Sequence, residues 1–269
     1  MVSGYRCVAK RQSIFYWKLN KMSEKNTIIF GIRAVIEAIR AGKEIDRVFL
    51  KKGSNGELFN ELLAILKQDN VPFLFVPIEK INRITTKNHQ GVVAYLSEVS
   101  FHKIENLLPG IFETGKIPFI LILDQITDVR NFGAICRTAE CAGVDAIIIP
   151  EKGAAQINAD AMKTSAGALN ILPICRSSNL KNTVKFLQEC GLKIFAATEK
   201  AHTIYVDESY NIPLGIVMGA EDTGVSTELI RIADSMIKIP VSGKIESLNV
   251  SVAAGIILYE VVSQRRVEK

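Results

Sequence analysis

The sequence predicts two α/β units in series, the second built on a mostly parallel sheet, and three observations predict it. Strand-like and helix-like patterns alternate along the chain from Asn26 onward. In the second half the apolar runs are five or six residues long without polar alternation, the pattern of strands buried on both faces of a parallel sheet. Between the halves, residues 100–116 contain Pro109, Gly110 and Gly115 and few periodic positions, which predicts a linker.

The first unit reads as strand IIFGI, helix Arg33–Ala41, strand RVFLKK, helix Glu57–Asp69, strand PFLFVP, a short helix Ile78–Thr85 and strand GVVAYLSE. The second reads as FILILD, a helix from Asn131 to Cys141, DAIIIP, a short helix Ala159–Ser165 and ILPIC. It continues with helix Leu180–Cys190, KIFAAT, GIVMGA, helix Ser226–Ile232, MIKIP and a long helix from Asn249. The expected organisation is a basic, disordered extension at 1–21, a small domain at 22–99, the linker, and a larger domain at 117–269.

Composition excludes a disordered, collagenous or disulfide-scaffold chain: 48% of the 269 residues are hydrophobic and 23% charged. The net charge of +5 lies wholly in residues 1–21, where Arg6, Lys10, Arg11, Lys18 and Lys21 face no acid. The remainder is neutral overall, so any recognition of a polyanion must come from local clusters. The extension has two readings, an arm that touches RNA or a segment upstream of a start at Met22, and the second is preferred. It has no continuous apolar core, so it does not read as a secretory signal. Five cysteines without a C-x-x-C pair or a Cys/His cluster predict reduced thiols, a cytoplasmic location and no metal site. Leu248–Val262, the most apolar long stretch, carries Asn249, Ser251 and Glu260 and is too short to span a bilayer, so no membrane partner is expected.

Ligands of open parallel sheets bind in loops at the carboxyl ends of strands. No G-x-G-x-x-G follows a strand, and GAEDTG at 219–224 lacks the Lys-Ser/Thr of a P-loop. Three other segments after strands are polar and Gly-bearing: DQITDVRNFGAICRTAECAG, VMGAEDTGVS and IPVSGKIESLNVSVAAG. In the first, Phe132, Ile135, Cys136 and Ala139 form a core face, Arg130 and Arg137 share another, and Asp128 is placed to cap the helix. In the second, Glu221 is either a helix-terminal acid or a group that positions a ribose or a cation. Gly219 would let a ligand approach the backbone, and Gly224 would let the loop turn. In the third, Ser247 and Asn249 are N-caps, site residues, or both.

Taken in this order, the three segments resemble the motifs of the SpoU/TrmH family of ribose 2′-O-methyltransferases, within the SPOUT superfamily. The first unit, with its closing Asn88-His89-Gln90-Gly91-Val92, is similar to the small L30e-like RNA-binding domain of some members. The resemblance implies an α/β-knot catalytic domain with a trefoil knot, S-adenosyl-L-methionine (AdoMet) as methyl donor, and a homodimer that completes the active site. It implies catalytic roles for Asn131, Arg137, Glu221, Ser247 and Asn249, and AdoMet contacts at Thr198, Gly219, Ile239 and Leu248. It also places Lys163 and Ser165, in MKTSAGAL, near substrate. Arg47, Lys51 and Lys52 on the first unit and Arg130 beside the site are the local cations expected to meet RNA. Ala253, Ala254 and Gly255 would suit the dimer face. Many members have a proline where this chain has Val129, which removes a stiff φ from that turn. His102 and His202 are expected at the surface.

The expected function is therefore methyl transfer to a ribose 2′-oxygen of RNA, a guanosine of 23S rRNA first. Alternatives are a tRNA or an antibiotic-protecting rRNA site, and a non-catalytic RNA-binding or assembly factor. An arginine stays protonated, so Arg137 suits orienting a phosphate and stabilising an oxyanion, and the proton acceptor is left open.

Overall fold

The periodicities that predict the elements also assign their faces. The computed structural model describes residues 28–243 and 247–267, and the extension at 1–21 lies outside them. The chain divides between Ser97 and Glu98 into two compact units.

In the first unit, β1 (Ile28–Phe30), β2 (Ile45–Lys51), β3 (Phe73–Val76) and β4 (Val92–Leu96) form a sheet of order β1-β4-β2-β3. It is mixed: β4 runs antiparallel to β1 and β2, and β3 is parallel to β2. Helices α1 (Ile32–Arg40) and α2 (Glu57–Gln68) bury Val35, Ile36, Leu62 and Leu66 against Val48, Leu50, Val92 and Ala94. The short helix α3 (Ile78–Ile84) covers the opposite face through Ile81, against Phe49 and Val93. The Gln90-Gly91 turn, at positive φ, brings the Gln90 side chain to the start of α1, where its Oε1 accepts from Ile32 N–H at 3.2 Å. That contact gives part of the Asn88–Val92 segment a capping role.

The second unit departs from expectation at once. Residues 100–116 are not a linker: they form β5 (Phe101–His102), which pairs with the second unit's own sheet, and α4 (Ile104–Glu113). Ile104 and Leu108 bury one turn apart, and that burial outweighs the proline inside the helix.

The chain continues through β6 (Phe119–Asp124), α5 (Val129–Cys141), β7 (Ala146–Pro150), α6 (Ala159–Thr164), β8 (Ile174–Ser177) and α7 (Leu180–Glu189). Then come β9 (Lys193–Ala197), β10 (Thr203–Ile204), β11 (Leu214–Gly219), α8 (Thr227–Ile230), β12 (Ser235–Lys238) and α9 (Val250–Val267). All the pairings in the eight-stranded sheet, order β10-β12-β9-β11-β6-β7-β8-β5, are parallel. β11 enters between β9 and β6, two strands laid down before it.

Every residue of β6 is buried, and its alternation sorts the helices. Phe119, Leu121 and Leu123 join the core under α5 and α9, and Ile120 and Ile122 join the core under α4, α7 and α8. On α5, Gly133 is required by packing: a Cβ there would lie 2.7 Å from Cβ of Thr164 and 3.0 Å from the Ala161 carbonyl oxygen on α6. On α9, Ala254 is fully buried, whereas Ala253 and Gly255 are partly exposed, Gly255 lying in ordinary contact range of the Thr138 methyl on α5.

Candidate active site

The parallel sheet brings the loops after β6, β9, β11 and β12 to one end. β6 and β11 are adjacent and end in register, with Asp124 opposite Gly219. Asp124 is buried, and its Oδ2 accepts from Ser226 N–H at 2.7 Å, which fixes the far end of the 220–226 loop. The loop closes on itself through the Ala220–Gly224 bridge, with Gly224 N–H donating to the Ala220 carbonyl at 2.9 Å. Gly219 is glycine for this reason: a Cβ would lie 2.0 Å from the Gly224 carbonyl carbon and 2.1 Å from Val225 N. The close neighbour of Gly219 on its Cβ side is thus the protein's own loop. Gly224, at φ 66, makes the turn as expected.

Three chemistry-bearing side chains meet where α5 and α9 begin. Asp128 caps α5 by accepting from Asn131 N–H at 2.7 Å. The Asn249 amide nitrogen donates to Asn131 Oδ1 at 3.0 Å and to Glu221 Oε1 at 2.5 Å. Glu221 Oε1 also accepts from Val250 N–H at 3.2 Å. Asn249 is at the same time the local cap of α9, its Oδ1 accepting from Ser251 N–H at 3.0 Å and from the Ser251 hydroxyl. One side chain thus caps α9 and links Asn131 to Glu221.

Beside this group lies a cavity of about 410 Å³. Its walls include all four residues expected to hold AdoMet, Thr198, Gly219, Ile239 and Leu248, together with Glu221 and Ser247. Its lining combines apolar surface from Met218, Ile237 and Ile257 with the carboxylates of Glu199, Glu221 and Asp222, which outnumber the ammonium groups of Lys200 and Lys238. Such a lining suits a nucleoside carrying a cation, so the residues present fit AdoMet. Among the described residues there is no group of His, Cys, Asp and Glu able to hold a metal ion.

The remaining expected site residues divide. Arg137 and Arg130 are exposed on α5, and the Arg137 guanidinium makes no hydrogen bond or ion pair among the described residues. The structure does not join Arg137 to the Asn131–Asn249–Glu221 group. Lys163 is exposed on α6. Ser165 is fully buried, its hydroxyl donating to the Met162 carbonyl at 2.9 Å, so the expected RNA contact there is replaced by a packing role under α5. Lys51 and Lys52 are exposed, whereas Arg47 is partly buried, with its Nε 3.2 Å from Asp46 Oδ2. Cys136 and Cys175 are buried, and burial pushes the Cys175 thiol up to about 12, so neither offers a nucleophile. Sequence reasoning missed Asp124 and Glu199. The signal for Asp124 was a lone carboxylate closing the apolar run FILILD.

The SpoU rRNA Methylase family matches residues 118–259, and the RNA 2′-O ribose methyltransferase substrate-binding family matches residues 28–102. The chain belongs to the SpoU rRNA methylase family. As a SpoU methylase with that substrate-binding domain, it is an RNA 2′-O-ribose methyltransferase. It is 37% identical over 241 residues to the 23S rRNA (guanosine-2′-O-)-methyltransferase RlmB of Yersinia pestis, covering 88% of this chain and 97% of that one. The A. aeolicus TrmH/SpoU tRNA modifying enzyme matches with 32% identity and a TM-score of 0.53, over 61% of this chain and 85% of that one. An AdoMet-bound rRNA methyltransferase from Sinorhizobium meliloti shares the fold, with a TM-score of 0.56 and 24% identity over 90% and 89% of the two chains. In this SpoU methylase, the family's motifs thus fall on the loops that border the cavity and on the starts of α5 and α9.

Proposed function

We propose that this methyltransferase acts on a guanosine ribose of large-subunit rRNA, with AdoMet bound in the cavity between the loops after β9, β11 and β12. The observation that carries the reading is that Glu221 both lines the cavity and bonds to Asn249, so donor and acceptor sites adjoin. The relative named for 23S rRNA guanosine methylation aligns with 88% of this chain, against 61% for the one named as tRNA modifying, which favours rRNA over tRNA.

When bound, AdoMet supplies an electrophilic methyl group on a sulfonium. Met218, Ile239, Leu248, Thr198 and Gly219 would hold the nucleoside, Glu199 and Glu221 would supply negative charge for the sulfonium, and Ser247 would border the donor beside the substrate ribose. Asn131 and Asn249 orient that ribose. Arg137 stays protonated and holds a neighbouring phosphate, and Arg130, Lys163, Lys51, Lys52 and Arg47 add positive charge along the RNA path. The exposed Arg137 guanidinium, without a hydrogen bond or ion pair among the described residues, is free to serve a second chain, which supports a homodimer in which each chain's Arg137 serves its partner's cavity. Val252 and Tyr259, 51% and 48% exposed on α9, supply apolar surface for that contact. Among the described residues the cysteines are free and no helix is long and apolar enough to cross a membrane; the free thiols support a cytoplasmic enzyme.

Incubation with ribosomal RNA and methyl-labelled AdoMet is expected to place label on the 2′-oxygen of a guanosine in the large-subunit RNA. Label on a base, or no label, overturns the reaction, and label confined to tRNA overturns the target.

A further inference from the structure

The hydrogen bonds around Asn249 fix which way two amides face, and from this we infer that Glu221 acts as a positioning residue. Through Asn249 it turns Asn131 so that Asn131 presents only N–H donors to the reacting 2′-oxygen of the RNA. The inference rests on the proposed reaction and assigns roles within that site.

The bookkeeping runs outward from Glu221. An ionised carboxylate only accepts, so the Asn249 atom 2.5 Å from Glu221 Oε1 must be the NH₂ group. The other end agrees: Asn249 Oδ1 meets Ser251 N–H and hydroxyl, which an NH₂ there would oppose. The second hydrogen of the same NH₂ goes to Asn131, 3.0 Å away, and that atom must therefore be the Asn131 oxygen. Asn131 has its acceptor engaged, while its NH₂ has no partner among the described residues. Amide orientations are ordinarily ambiguous because oxygen and nitrogen have the same shape. Here a charge at one end of the chain of contacts removes the ambiguity at the other.

Electrostatics favour the same direction. Asn131 lies in the first turn of α5, a helix of 13 residues, and Asn249 caps α9, a helix of 18. The positive ends of both helix dipoles thus lie beside the bonded Asn131 and Asn249 amides. In the transfer the O2′–methyl bond forms as the methyl–sulfur bond breaks. Sulfur keeps the electron pair, and the 2′-hydroxyl proton leaves to solvent. Loss of the proton puts negative charge on the 2′-oxygen ahead of the transfer, and a preoriented donor beside it raises the ionised fraction without taking a proton; that charge is then neutralised as the new bond forms. Glu221, already accepting from Asn249 and Val250 and facing a helix N-terminus, is poorly placed to be the base.

The test uses the full chain with ribosomal RNA and AdoMet, reading kcat, RNA affinity and AdoMet affinity separately. Asn131→Asp keeps the acceptor that Asn249 needs but has no donor, and kcat is expected to fall about 10²-fold or more. Glu221→Ala releases the orientation and is expected to lower kcat as well. Because both act on one contact, the double variant should lose little more than the worse single. Glu221→Gln keeps an acceptor oxygen for Asn249 and should recover part of the kcat that Glu221→Ala loses. Wild-type kcat in Asn131→Asp, multiplicative losses in the double variant, or a Glu221→Gln variant as slow as Glu221→Ala each overturn the relay. So does a loss confined to RNA affinity, which would place a phosphate at Asn131. A wild-type chain that methylates no ribose overturns the proposed reaction instead.

Discussion

Gly219 shows how one missing Cβ shapes the candidate site. The backbone of Gly224 and Val225 occupies the space a side chain would need, at 2.0 and 2.1 Å, and backbone cannot rotate aside as a flexible side chain can. Gly219→Ala is therefore expected to force the 220–226 loop outward, moving Glu221 away from Asn249 and opening the cavity. Overpacking of this kind costs about 1–3 kcal/mol, so the fold should survive with a lowered denaturation midpoint. AdoMet titration should show a loss of affinity larger than the stability change implies, and unaltered AdoMet affinity would contradict the loop's role. At this scale the sequence was partly legible. The residue types at Asn131, Glu221 and Asn249 flagged the site because polar groups at strand ends and helix starts are few. Their mutual contacts were not legible, since Asn249 lies 118 residues from Asn131 and 28 from Glu221. Ser165 shows the opposite error: a small hydroxyl in a motif-like segment looks functional, and only burial shows that it packs.

Among the elements, α9 owes its seat to its last turns. The Arg265 guanidinium donates to the carbonyls of Tyr210, Ile117, Pro118 and Ile212, at 2.8 to 3.2 Å, and stacks over the Phe119 ring. Next to it, Gln264 receives the Tyr210 N–H and donates to the Glu208 carbonyl. This ties α9 to the start of β6 and to the segment before β11, so the strand ends that frame the cavity are held from behind. Burial pulls the Arg265 pKa down, though the nearby Asp145 opposes this. Arg265→Ala should leave several carbonyls without partners, at about 1–3 kcal/mol for each that stays dry. Arg265→Lys should recover only part of the loss, because one ammonium cannot reproduce the planar fork. Thermal unfolding checks the order wild type, Lys, Ala, and a lysine variant as stable as wild type would show that charge alone suffices. Six strands of the parallel sheet were legible because each overlaps an apolar run, whereas the two-residue strands β5 and β10 carry no such signal. α4 was not, because Pro109 and Gly110 punctuate a stretch whose helical state depends on burying Ile104 and Leu108. Register and strand order depend on contacts between distant segments, which local pattern does not encode.

Across the whole molecule, charge is distributed in a way that constrains how RNA is held. The five cations of residues 1–21 account for the entire net charge of +5, and residues 22–269 balance. Within that neutral body, Lys51, Lys52, Arg130, Arg137 and Lys163 are exposed, while Arg47 is partly buried beside Asp46. If these exposed side chains make the phosphate contacts, few counterions are released on binding. Each neutralised phosphate contributes about −0.7 to the slope of log affinity against log salt for single strands. The slope should then be no steeper than about −4 in log units for these groups together. Deleting residues 1–21 is expected to leave both RNA affinity and this slope unchanged, because a neutral body that recognises RNA through local clusters does not depend on bulk charge. Titration of full-length and shortened chains at several salt concentrations separates the cases. A slope that flattens on deletion, with affinity falling at low salt, would make residues 1–21 an RNA-binding arm and move the electrostatic footprint off both domains. An unchanged slope would leave specificity to the small set of donors and cations on the two units, where single substitutions of Lys51 or Arg130 should each remove about one phosphate's share.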